Sequence, residues 1–67
     1  MELAQQLGNN VRRLRLSRGL SQEKLALEID MKRSYLSDLE RGKRNPSIRA
    51  LERIATALEA EPWQLLK

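Results

Sequence analysis

Apolar residues recur along this chain at the period of a helix. Leu3, Leu7, Val11 and Leu14 fall four, four and three apart, one stripe on one helical face. Gly19 stops that first helix, and arginines near its end suit the negative pole of the helix dipole. Ser21 is an N-cap for a second helix, with Glu23 in its first turn and Leu25, Ala26 and Ile29 facing inward. Leu27 points away from that face. Asp30-Met31 makes a tight connection, since Asp tolerates the left-handed backbone better than most non-glycine residues. A third helix then runs from about 33 to 41 on Leu36 and Leu39, closed by Gly42. Lys43 to Pro46 is a polar loop. Ser47 caps a fourth helix whose stripe is Ile48, Leu51, Ile54, Ala55 and Leu58. Pro62 opens a short fifth helix carrying Trp63, Leu65 and Leu66. No strand alternation stands out, and every connection is short. The pattern predicts an all-α, compact five-helix domain occupying residues 1–67.

Composition narrows what such a domain does. The chain has 67 residues and contains neither His nor Cys. A domain of about 60 residues buries only about 60% of its unfolded surface, so a large enclosed pocket is not expected. The commonest general base, the thiol nucleophile and most zinc ligands are missing, and no nucleophile–base pair suggests an enzyme. Neither a metal site nor a cofactor is expected. No apolar run approaches the roughly 20 residues of a membrane span, and Met1-Glu2 opens no signal pattern. The expected compartment is the cytoplasm, at the nucleoid, with no membrane partner.

The net charge of +4 is not spread evenly. Arg12, Arg13, Arg15 and Arg18 crowd the first helix, and Lys32, Arg33, Arg41, Lys43 and Arg44 crowd the third and its loop. The second helix is acidic instead, with Glu23, Glu28 and Asp30 against Lys24. Two short helices joined by a turn of three or four residues, at about 21–41, form a helix-turn-helix. In that motif the second helix enters the major groove of DNA and the first crosses the backbone. Such a helix needs an apolar face to seat it and a polar face to read bases. Residues 32–41 supply Leu36 and Leu39 for the one, and Lys32, Arg33, Ser34, Ser37, Asp38 and Arg41 for the other. Tyr35 lies between them, its hydroxyl able to reach a phosphate.

The run Gly19-Leu20-Ser21-Gln22-Glu23-Lys24-Leu25-Ala26 is followed by Ser34-Tyr35-Leu36-Ser37-Asp38-Leu39-Glu40-Arg41-Gly42. Pro46-Ser47 and then Leu51, Ile54, Ala55 and Leu58 complete the series. Together these residues resemble the lambda-repressor/Cro-type (XRE) helix-turn-helix family over about residues 8–66. Within it, Arg33 to Ser37 and Glu40 to Asn45 look most like the small controller proteins of restriction–modification systems. The chain departs from the family pattern at Asp30, where glycine is common, and at Lys32, where Ser or Thr is common.

The resemblance implies a sequence-specific transcriptional regulator of double-stranded DNA. Base readout is expected of Arg33, Ser34, Ser37 and Asp38. Arg33 suits a bidentate contact to guanine. Asp38 either accepts from cytosine, orients an arginine, or repels a misplaced phosphate. Phosphate contacts are expected of Gln22, Lys32, Tyr35, Lys43, Arg44 and Asn45. Arg15 and Glu40 match a family pair that forms an internal ion pair. Family members bind two-fold symmetric operators as homodimers. Trp63, Leu65 and Leu66 are the expected dimer surface. RNA polymerase is a further candidate partner, through Glu23, Glu28 and Asp30. Two alternatives stand beside the controller reading: a phage-type repressor, and an antitoxin whose main role is to bind a partner protein.

Overall fold

The computed structural model describes residues 3–67. Met1 and Glu2, included above in the domain, lie outside the described residues. Helix α1 spans Leu3–Ser17, α2 spans Gln22–Glu28, α3 spans Arg33–Glu40 and α4 spans Ile48–Ala57. The expected fifth helix is a single 3-10 turn, Pro62–Leu65. Four residues are too few for the repeated i to i+4 bonds of an α-helix, and the tighter turn suffices. Among the described residues there is no strand, and no helix is long and apolar enough to cross a membrane.

Caps account for where α2 and α4 start. The Ser21 hydroxyl accepts the Lys24 amide at 3.0 Å, and the Ser47 hydroxyl accepts that of Ala50 at 3.1 Å. The connection after α2 turns on Asp30 at φ 57°, the left-handed geometry expected of that aspartate. Glu59, at φ 56°, makes the same turn after α4, where nothing in the sequence singled it out.

Val11, Leu25, Leu36, Leu39, Ile54 and Leu65 have almost no exposed surface and form the centre of the core. Leu7, Ala26, Ile29, Ala55 and Leu58 surround them, so that the core as a whole draws on every helix. Two residues assigned to inward stripes are instead open to solvent: Leu3 and Ile48. Each is the first residue of its helix, beyond the edge of the packed layer.

Leu65 corrects a second expectation. It belongs to the core and not to a free surface, since it is fully buried. In a 3-10 turn side chains three apart share a side, so Trp63 and Leu65 diverge. The inward direction is fixed by Asn10, buried on α1, whose amide donates to the Leu65 carbonyl at 2.9 Å and the Lys67 carbonyl at 3.2 Å. Arg13 donates in turn to the Asn10 side-chain oxygen at 2.9 Å. Asn10→Ala is expected to cost about 1 kcal/mol, since both carbonyls lose a donor but one stays close to solvent. The check is a urea titration, with the Trp63 emission reporting whether the C-terminal turn loosens first.

Candidate DNA interface

Helix α3 is short, and its two sides are sharply different. Leu36 and Leu39 are fully buried, which seats the helix on α1 and α2. Lys32, Arg33 and Ser34 are exposed at its start, and Ser37 and Asp38 are half-buried further along. Lys32 is the N-cap residue by backbone geometry but makes no side-chain capping bond, so its ammonium stays available. Beyond the helix Arg41, Lys43, Arg44 and Asn45 are all exposed. The four candidate base-reading residues and the loop cations are thus all at least partly open to solvent.

Arg15 and Glu40 stand apart from this set. Both are buried, and they form a two-pronged pair: Nε to Oε2 at 2.7 Å and Nη2 to Oε1 at 3.1 Å. The remaining guanidinium nitrogen, Nη1, donates to the Leu20 carbonyl at 2.7 Å. Gln22 donates its amide to Glu40 Oε1 at 3.0 Å. One buried carboxylate therefore ties the end of α1, the start of α2 and the end of α3 together. One N–H of Gln22 is committed to that network, and the residue also lines a cleft with Arg15, Ser21, Glu23 and Arg33.

Of the four arginines at and just beyond the first helix, two are paired with carboxylates, while Arg12 and Arg13 keep exposed charges. Arg15 is paired internally, Arg13 is bonded to Asn10, and Arg18 reaches Glu59 at 2.9 Å. The hydrogen bond from Arg18 holds the Glu59 carboxyl below the usual carboxylate range. Arg12 alone of the four makes no such contact among the described residues.

Two features escaped the sequence reading. Asn10 sits three residues after Leu7 and four before Leu14, so its place on the buried stripe was visible in the spacing. Gly8 lies mid-helix, where glycine usually marks a close approach. A Cβ there would meet the Leu39 carbonyl oxygen at 2.4 Å. Asp38, for which orienting an arginine is one of three readings from the sequence, pairs with Arg41 and Arg44. No periodicity announces such a contact.

A family model described as helix-turn-helix matches residues 11–64. The chain belongs to this family of helix-turn-helix DNA-binding transcriptional regulators, of the lambda-repressor/Cro (XRE) type. It is 52% identical over 60 residues to control protein C.BamHI of Bacillus amyloliquefaciens, covering 88% of this chain and 74% of that one. The restriction-modification controller protein C.AhdI of Aeromonas hydrophila superposes with a TM-score of 0.89 at 44% identity, covering 92% of this chain and 94% of that one. SinR, a master regulator for biofilm formation solved in complex with DNA, superposes with a TM-score of 0.87 at 34% identity, covering 91% and 98%.

Proposed function

We propose that this chain is a controller-type transcription regulator, acting as a single domain that binds a two-fold symmetric operator as a homodimer with α3 in the major groove. The observation that carries the reading is the two-sidedness of α3: Leu36 and Leu39 fully buried, Arg33 and Ser34 open to solvent on the other side. A major groove about 12 Å wide admits one such helix. Likeness to C.BamHI and C.AhdI supports the controller assignment, and likeness to the DNA-bound SinR supports the mode of docking.

Within this reading Arg33 makes the guanine contact, with Ser34 and Ser37 beside it. Lys32, Gln22, Tyr35, Lys43, Arg44 and Asn45 grip phosphates and fix the register. One helix reads only a few base pairs, so two copies are needed for specificity. Trp63 and Leu66, which are 60% and 38% exposed, supply the dimer surface. The tilt of that surface is held by Leu65 in the core and by Asn10 above it.

Selection of bound duplexes from a random pool tests the proposal, with a two-fold symmetric consensus expected. Arg33→Ala is expected to lower discrimination at one position per half-site by about 1–3 kcal/mol. Lys43→Ala is expected to weaken all duplexes alike and to reduce the salt slope by about 1. Equal losses for Arg33→Ala on selected and random DNA would overturn the base-reading role.

A further inference from the structure

One acid lies among the cations of the DNA-facing side. Asp38 Oδ1 accepts from Arg41 Nη2 at 3.3 Å, and Oδ2 faces Arg44 Nη2 at 3.6 Å. The backbone of the same residue takes part, its carbonyl accepting the Lys43 amide at 2.9 Å. The Arg44 guanidinium also lies over the Tyr35 ring, 4.6 Å from its centroid. A single carboxylate thus bridges the last turn of α3 and the loop beyond it, and the bridge closes over an aromatic face.

The bridge contributes nothing to the core, which lies on the opposite side of α3. The Arg41 and Arg44 side chains are 62% and 46% exposed, and that of Asp38 is 36% exposed. Ion pairs so open to water shift an equilibrium by about fivefold at most. They are easily exchanged. Phosphate oxygens accept from the same guanidinium groups, with comparable geometry and in far greater local density.

We propose that Asp38 is a positioning residue whose carboxylate holds Arg41 and Arg44 in the free protein and surrenders them to phosphates when α3 docks. This rests on the reading of α3 as the DNA-facing helix. Docking then exchanges one anionic partner for another, so the pairs with Asp38 must be broken before both arginines can reach phosphate. This exchange cost opposes every complex in which both arginines have moved to phosphate. It thereby restrains binding to arbitrary DNA, where phosphate contacts supply nearly all the attraction.

The test is a salt titration of binding to a random duplex and to a selected one. It compares wild type, Asp38→Ala and Asp38→Asn, each also in an Arg41→Ala/Arg44→Ala background. Both Asp38 variants are expected to bind the random duplex about fivefold tighter, with a salt slope steeper by up to about 1. Both effects are expected to vanish once the two arginines are gone. A gain that persists without Arg41 and Arg44 makes Asp38 a diffuse negative charge and overturns the proposal. A loss confined to the selected duplex makes it a direct base reader and overturns it too. Whether wild type prefers the selected duplex at all is read in the same titrations. Failure there sinks the DNA-reading proposal itself, and the cycle on random duplex still decides the role of Asp38.

Discussion

Replacing Glu40 with alanine is expected to lower stability by about 3–5 kcal/mol, because it leaves the Arg15 guanidinium buried without its counter-charge. The two side chains are only 2% and 8% exposed, so water cannot easily replace the lost partner. Gln22 loses an acceptor at the same time. A domain of this kind has about 5–15 kcal/mol in all, so much of the population would unfold in mild urea. Arg15→Ala should cost a similar amount through the orphaned carboxylate. The revealing comparison is the double variant Arg15→Met/Glu40→Met. Buried pairs replaced by apolar residues of similar volume are often nearly neutral, so it should be more stable than either single variant. A double variant clearly less stable than wild type would show that the pair's attraction exceeds the cost of burying it. The pair also holds the end of α3, so the double variant is expected to fold yet read DNA less selectively.

Gly8→Ala is expected to cost about 3 kcal/mol or more, at or beyond the upper end of ordinary overpacking. The three atoms nearest the added Cβ are the Leu39 carbonyl oxygen at 2.4 Å, the Glu40 carbonyl oxygen at 2.7 Å and the Glu40 carbonyl carbon at 2.9 Å. All are backbone, so no side chain can rotate to make room. In a solvent-exposed helix interior the same change stabilises by about 1 kcal/mol, since alanine is the better helix former. The predicted sign is thus opposite to the propensity. A thermal melt of Gly8→Ala at or above the wild-type midpoint would mean that α1 and α3 do not approach as described. Because the clash falls on the last residues of α3, the variant that does fold should carry that helix displaced from α1 and bind its selected duplex more weakly.

Much of the fold is legible in the residues. Ser21 and Ser47 mark helix starts because their hydroxyls satisfy free amides, a local transaction that needs no tertiary partner. Leu36 and Leu39 mark the inner face of α3 because three residues span nearly one turn. The Arg15–Glu40 pair was reached from family resemblance; residue spacing did not reveal it. The structure places the two charges in contact. Leu65 was misassigned because periodicity cannot tell an outward apolar residue from an inward one in a segment of one turn. Ile48 was misassigned because a stripe says which face is apolar and not where the packed layer ends.

By itself the sequence determined the helices, their order and the two-sided recognition helix, since caps and apolar spacing act between residues at most four apart. Only the tertiary structure decided which charges are spent inside and which face outward. Arg15 meets Glu40 across 25 positions, and Asn10 meets the Leu65 carbonyl across 55. Such partners are chosen by how the helices stack, and a charged or polar residue looks the same in the sequence whether its partner is a buried carboxylate, a backbone carbonyl or water.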